Sequence, residues 1–395
     1  MLAGVKSGMD QSIQNVPLLD VNRDNAPILN EIHEAISAVT ESGWFIGGPA
    51  CKELEKNIAE YSGAEFAIGC ASGSDALLLP LLAHEIGPGD EVIVPSFTFF
   101  ASVSAITRLG ATPVFIDIEH DSFNLNPELI EELITENTKA IIPVHLFGQC
   151  ANMTEILPIA EAHNLFVLED AAQAIGASHQ NHGAGSMGNA AAFSFYPTKN
   201  LGGLGDGGMV TCNDEQLAER IRCLANHGMK PRYYHQMVGV NSRLDSYQAA
   251  GLNVKLKYLD EWTKNRQINA QRYEKLFLDA ELQSLIELPE DDWQGNHVWN
   301  QYTIRIKDDS RDTIREQMKE MGVGTEVYYP VPVHAQECYQ HLQVSDESLP
   351  VTMRAAQQVL ALPIFPGLTE AEQVRVVHCL ATALNSQAST LRKAS

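Results

Sequence analysis

From residue 64 to about residue 226, strand-like and helix-like runs take turns, and this alternation limits the possible folds more than any other feature. AEFAIGCA reads as a strand and SDALLLPLLAHE as a helix. EVIVP, ATPVFIDI, KAIIPVHLF and LFVLED read as further strands, with helices at SAITRLG, PELIEELITE and MTEILPIAEAHN between them. AAAFSFY and GGMVTC are strands again, and DEQLAERIRCLANHG a helix. Repeated βαβ units of this kind build a mostly parallel sheet with helices on both faces. Ligands of such sheets sit at the carboxyl ends of the strands, so chemistry is expected where these runs end.

A long helical stretch, LDSYQAAGLNVKLKYLDEWTKNRQINAQRYEKLFLDA, leads out of this region. The remainder mixes strand (VWNQYTIRI, GTEVYYP) with helix (RDTIREQMKEM, TEAEQVRVVHCLATAL), as a smaller α+β domain would. The expected division is a flexible N-terminal segment at 1–15, a large domain at 16–255, a small domain at 256–385 and a polar, frayed tail at 386–395.

Composition matters here for what it excludes. A net charge of −23 is wrong for a protein that grips nucleic acid, because phosphate backbones require a basic surface. No apolar run is long enough to span a bilayer, and the first twenty residues lack the apolar core of a signal peptide. Seven scattered cysteines with no C-x-x-C pattern favour a reducing cytoplasm, and no metal is expected. One stretch runs against the acidic trend. From Arg220 to Arg243 there are Arg220, Arg222, Lys230, Arg232 and Arg243, with His227 and His235 and no acid. It is either a solvated helix face plus loop or a site for a small anion such as a diphosphate.

Four strand ends carry polar chemistry. LFVLED closes in Glu169 and Asp170 with Gln173 just beyond. An acid there is either a helix cap or a ligand group. GCASGSDALLL passes from strand to helix through Ser72, Gly73 and Ser74, whose N–H groups and hydroxyls suit a phosphate at a helix N-terminus, or plain capping. EVIVPSFTFF sets Phe97, Phe99 and Phe100 beyond a strand, as core or as a plate for a flat ring. FYPTKNLGGLGDGG holds a single lysine, Lys199, before five glycines. The G-x-G-x-x-G of Gly203, Gly205 and Gly208 is followed by MVTC, a strand, whereas a dinucleotide site needs a helix there. A phosphate cradle, an aromatic plate, a carboxylate and one lysine are what pyridoxal 5'-phosphate requires.

The motifs SGWFIGGP, CASGSDAL, PSFTFFAS, IPVHLFGQ, EDAAQAIGA, FSFYPTKNLGGLGDGG, VGVNSRLDSYQAA and YYPVPVHAQ occur in this order. On them the chain resembles the DegT/DnrJ/EryC1/StrS family of nucleotide-sugar aminotransferases, from VPLLDV to LALPIFPGLTEAE. The resemblance implies an α/β, aspartate-aminotransferase-like fold (type I) with a mostly parallel seven-stranded sheet and a smaller α+β C-terminal domain. It implies that Lys199 is the Schiff-base lysine and proton shuttle, and that Asp170 pairs with the pyridine nitrogen. Gln173 is expected near the ring hydroxyl and Phe99 on the ring face. Gly73, Ser74 and Ser194 are expected at the phosphate, joined by Asn241 from the neighbouring subunit of a homodimer with shared sites. The cradle departs from the family's usual Asn-Gly-Thr, and Tyr328 stands where His is common.

The implied reaction moves an amino group from an amino acid, L-glutamate, to a nucleoside-diphosphate keto-sugar, at C3 by the wording of YPTKNLG and GDGG. Arg243, Tyr329 and His334 are expected to meet the substrate. Rivals are amination at C4 or of a keto-cyclitol, and a non-catalytic regulator on the same fold. A dehydratase of this fold carries His where Lys199 stands, which counts against that reading.

Overall fold

The computed structural model describes residues 15–290 and 295–394. Nearly all of the N-terminal segment expected to be flexible therefore lies outside the described residues.

Seven strands form the large sheet: β1 (Phe66–Cys70), β2 (Glu91–Pro95), β3 (Thr112–Ile116), β4 (Thr138–Ile141), β5 (Phe166–Asp170), β6 (Ala190–Ser194) and β7 (Gly208–Cys212). Their order is β1-β7-β6-β5-β4-β2-β3. Every neighbouring pair is parallel except those made by β7, which runs against both β1 and β6. The strands read as apolar runs because both faces are covered: β5 and β7 are buried along their whole length. The sheet is thus mostly parallel and seven-stranded, as the resemblance implies.

The helices α1 (Leu29–Ser42), α2 (Pro49–Ser62), α3 (Gly73–Ala83), α4 (Phe100–Thr107), α5 (Met153–Ala162), α6 (Glu215–Leu224) and α7 (Ser246–Leu256) flank this sheet. Of these, α3 is the most enclosed. Leu77, Leu78, Leu79 and Leu81 are all buried, each contributing about 1.5–3 kcal/mol. Burial on every side explains why α3 has no polar stripe, and its N-terminus is thereby fixed over the sheet edge.

The helix expected at PELIEELITE contracts to a 3-10 turn, Pro127–Leu129, and a short helix, Ile130–Leu133. It stops at Ile134, which is extended, and the Thr135 N–H turns instead to the Thr138 hydroxyl. GTEVYYP pairs only through a bridge between Glu326 and Ala361. Pro330 and Pro332 have no N–H to extend a ladder, so the segment becomes a loop over the large sheet.

The long helical stretch divides into α7 and α8 (Leu259–Asp279), which delivers the chain to the small domain. That domain holds an antiparallel sheet of β8 (Ile286–Glu287), β9 (Tyr302–Ile306) and β10 (Val359–Leu362), in that order. It packs with α9 (Arg311–Glu320), α10 (Pro350–Gln358) and α11 (Glu370–Ala394) around Tyr273, Tyr302, Ile314 and Val376. Helix α11 continues to Ala394, through the segment read as a polar tail. Val16 belongs to this core and bridges Val323, so the start of the large domain is stitched to the small one.

Candidate active site

The carboxyl ends of β1, β2, β5 and β6 and the start of β7 meet at one edge of the sheet. Gly208 opens β7 opposite Cys70 of β1 and Ser194 of β6. A Cβ on Gly208 would lie 2.3 Å from the Ser72 carbonyl oxygen, so only glycine lets the α3 N-terminus settle here. The same holds for Gly73, whose Cβ would meet the Ser194 Cβ at 2.6 Å. Gly73, Ser74 and Ser194 are thus brought together. Ser72 caps α3 by accepting the Asp75 N–H at 3.2 Å. The N–H groups of Gly73 and Ser74 open the helix and have no intrahelical acceptor. This cradle, glycine-walled with a hydroxyl opposite a helix N-terminus, fits a phosphate.

The two acids that close β5 separate by the period of a strand. Glu169 is fully buried and accepts from the N–H groups of Gly185, Met187 and Gly188 and from His145 Nε2 at 2.7–2.9 Å. His145 Nδ1 accepts from the Ala151 N–H, so its proton sits on Nε2. Glu169 therefore holds a loop together. Asp170 lies on the other side. It is 5% exposed, accepts the Ser102 hydroxyl on Oδ2 at 2.7 Å and the Ala172 N–H on Oδ1 at 3.2 Å. Burial pushes its carboxyl up from the ordinary range, and Ser102, the Ala172 N–H and Lys199 pull it back.

Lys199 is half-buried on the bend after β6. Burial lowers its amine to about 8, against a smaller opposite pull from Asp170. The neighbouring residues hold the bend in place. Asn200 donates to the Val298 carbonyl and accepts from Asn300, and buried Lys255 donates to the Gly202 carbonyl. An amine of lowered pKa beside a carboxylate fits the aldehyde and the cationic ring of pyridoxal phosphate.

Gln173 accepts the Phe147 N–H at 2.7 Å and donates to the Tyr329 hydroxyl at 3.3 Å. Tyr329 in turn packs between Phe97, 6.0 Å away edge-on, and Phe99 at 6.2 Å. The three phenylalanines of PSFTFF take separate roles: Phe97 is fully buried core, while Phe99 and Phe100 are 58% and 41% exposed.

Two expectations change. His334 is buried. Its Nδ1 meets the Ser96 hydroxyl at 2.6 Å and its Nε2 meets Asp346 at 3.0 Å, so both ring nitrogens are occupied in joining the strand-end loop to the small-domain loops. It offers no free polar atom to a substrate. The positive run is also largely neutralised. Arg220 pairs with Glu85, Arg222 with Glu55 and Lys230 with Glu219. The fold supplies acids that lie outside the run, so a reading of the run alone overstates its charge. Arg232 lies over the Tyr233 ring, and Arg243 is exposed, donating to Asn226 at 3.2 Å.

Asn241 and Arg243 flank buried Ser242, which donates to Asp75 in the first turn of α3 and accepts from the Ala71 N–H. Sequence reasoning passed over Ser102, Lys255 and Ser242. Ser102 gave little signal, being one of three hydroxyl residues in its helix, with Ser104 and Thr107.

Among the described residues no helix is long and apolar enough to cross a membrane. The DegT/DnrJ/EryC1/StrS aminotransferase family matches residues 27–381. A pleiotropic regulatory protein of Geobacillus stearothermophilus is 47% identical, over 93% of this chain and 98% of its own. A UDP-N-acetyl-3-dehydro-α-D-glucosamine 3-aminotransferase of Acidithiobacillus ferrooxidans is 41% identical, over 94% and 98%. The crystal structure of S. venezuelae DesV in complex with a ketimine intermediate matches with a TM-score of 0.90 at 40% identity, over 94% and 99%.

Proposed function

The chain belongs to the DegT/DnrJ/EryC1/StrS aminotransferase family, and we propose that it transfers an amino group from L-glutamate to C3 of a nucleoside-diphosphate-linked keto-sugar. It is a pyridoxal-phosphate-dependent aminotransferase. The observation that carries the reading is the electrostatic coupling of Lys199, its amine lowered to about 8, to buried Asp170, at the sheet edge where the α3 N-terminus meets Ser194. The name of the Acidithiobacillus relative supports C3 and a nucleotide sugar.

Pyridoxal phosphate, when bound, supplies an aldehyde that exchanges amines and a ring that withdraws electrons. The N–H groups of Gly73 and Ser74 and the Ser194 hydroxyl would hold its phosphate. Asp170 would serve the ring nitrogen and favour its protonated form. Gln173, fixed between Phe147 and Tyr329, would serve the ring hydroxyl, and Phe99 would supply a face for stacking. Lys199 Nζ takes up a proton and gives it back. With a pKa near 8 it is a base within reach of neutral pH, where an ordinary lysine is not.

We propose a homodimer with shared sites. Trp44, Phe45 and Ile46 are 60%, 46% and 50% exposed, and Tyr233, Tyr234 and Val238 are 74%, 69% and 93% exposed. The first patch adjoins the Asn241–Asp245 segment through the bridge Ile46–Asp245, and Val238 of the second precedes Asn241 by three residues in the chain. A second copy covers them, and its Asn241 reaches this chain's phosphate cradle. Arg243 is then the best-placed free cation for a diphosphate. We assign the enzyme to the cytoplasm, where seven cysteines outside disulfides stay reduced.

The name of the Geobacillus relative favours a second reading, a regulator without turnover. Mass spectrometry of products from glutamate and a panel of nucleotide keto-sugars, with keto-cyclitols alongside, separates the readings. A 3-amino nucleotide sugar is expected. A product aminated at C4 or on a cyclitol overturns the substrate assignment, and none from any acceptor favours the regulator.

A further inference from the structure

Asp170 stands at the end of a chain of hydroxyls. The Thr98 and Ser102 hydroxyl oxygens are 2.9 Å apart, and Ser102 Oγ is 2.7 Å from Asp170 Oδ2. Ser102 is fully buried and Thr98 is 2% exposed, so water does not compete for either. A helical serine ordinarily returns its proton to the carbonyl a turn back, here Phe99 O at 3.2 Å. That carbonyl already accepts the Ser102 N–H. The carboxylate is closer and charged, and a hydrogen bond to a charged acceptor is the stronger one. Ser102 therefore donates to Asp170, and Thr98 donates to Ser102. Each bond polarises the next.

We propose that Ser102, backed by Thr98, is a positioning residue that holds Asp170 as a carboxylate and so leaves the shared proton on the ring nitrogen of pyridoxal phosphate. The inference rests on the reading that Asp170 faces that nitrogen. Burial raises the proton affinity of Asp170, and the groups that offset it are few. Ser102 is the largest, followed by the Ala172 N–H, Lys199 and His145. His145 is held by Glu169 and by the Ala151 N–H rather than by Asp170, and Tyr329 faces the same carboxyl without carrying a positive charge. Without Ser102 the carboxyl becomes the better base, takes the proton from the ring nitrogen, and the ring loses electron-withdrawing power.

The test is nitrogen-15 NMR of the holoenzyme at neutral pH, loaded with pyridoxal phosphate labelled at the ring nitrogen. Wild type should give the signal of a protonated ring. Ser102→Ala should move it toward the unprotonated value and slow the glutamate half-reaction about tenfold. Thr98→Val should move it in the same direction by less, and remains informative if Ser102→Ala does not fold. Asp170→Asn is the reference. If Asp170→Asn shifts the signal while Ser102→Ala and Thr98→Val leave it in place, Ser102 is only a packing residue and the inference fails. If Asp170→Asn itself leaves the signal unchanged, the reading of Asp170 fails first, and the inference with it.

Discussion

The floor of the site and its rim are built on opposite terms. On the floor, Asp170, Glu169, Ser102 and His145 are buried and every polar group described for them has a partner within the same chain. At the rim, the hairpin from His227 to Val240 and the Trp44–Ile46 turn present large apolar side chains to solvent. Large apolar side chains exposed in clusters mark an interaction site. The difference separates two tasks. Proton chemistry depends on groups whose pKa values are set by burial, which one chain can provide. Recognition of a large substrate depends on surfaces that a second copy can complete.

Disabling the floor should have the largest effect. Lys199→Ala should lower turnover by at least about 10³-fold, since it removes both nucleophile and base, in an assay of amino transfer from glutamate. The same burial gives a stability signature. The folded pKa of about 8 lies below the ordinary 10.5, so the unfolded chain binds this proton more tightly. Stability of the apo protein should therefore rise between about pH 8 and 10.5, and at pH 7 the buried amine is a cost. Lys199→Met should raise the apo melting temperature at pH 7 and reduce that rise, the remainder belonging to Lys255, whose amine burial also lowers to about 8. An apo protein equally stable at pH 8 and pH 10, with wild-type and variant alike, would mean that the amine is not buried as described.

Asp170→Asn should come next, with turnover about 10²-fold slower and cofactor still bound, because an amide cannot stabilise a cationic ring nitrogen. A rate within a few-fold of wild type would reduce Asp170 to a loop cap and erase the contrast between it and Glu169.

The contrast between floor and rim also explains what was legible in the sequence. The floor was legible because strand ends are marked by a change from apolar to polar residues: LFVLED, FSFYPTK and CASGSD announce themselves. Lys199 and Asp170 are distant in sequence, but each belongs to a run whose periodicity places it at the same edge. The rim was less legible. Charge there depends on partners from other segments, as Glu85 and Glu55 meet Arg220 and Arg222. The partners of His334 were illegible for the same reason, since Ser96 and Asp346 come to it through tertiary packing. GTEVYYP reads as a strand, yet Pro330 at its end and Pro332 just beyond deny it a ladder.

A mixture of two inactive chains sharpens the comparison between a floor held by one chain and a rim shared by two. One chain carries Lys199→Ala and the other Asn241→Ala. If Asn241 serves the partner's cradle, half of the randomly formed dimers are mixed and each has one intact site. About a quarter of wild-type activity should then return. No recovery under conditions that exchange subunits would count against shared sites, as would a monomer by light scattering.

The smallest effects should separate the rim's cations from one another. Arg243 is exposed and held only by a neutral amide, whereas Lys230 is exposed and already paired with Glu219 at 2.5 Å. A diphosphate approaching an acidic protein needs a cation whose charge is not already spent, and a guanidinium can hold two oxygens at once. Arg243→Ala should raise the apparent KM for the nucleotide sugar about tenfold and make it less sensitive to salt. The glutamate half-reaction, followed by the cofactor's absorbance, should change less. Lys230→Ala should alter either KM by less than about twofold, as expected for one half of an exposed ion pair. If glutamate turnover collapses in Arg243→Ala while sugar binding holds, Arg243 belongs to the donor carboxylate. If Lys230→Ala weakens the sugar as much as Arg243→Ala does, the run from Arg220 to Arg243 acts as one electrostatic surface despite its ion pairs. The sequence would then have described the rim better than the pairing of its side chains does.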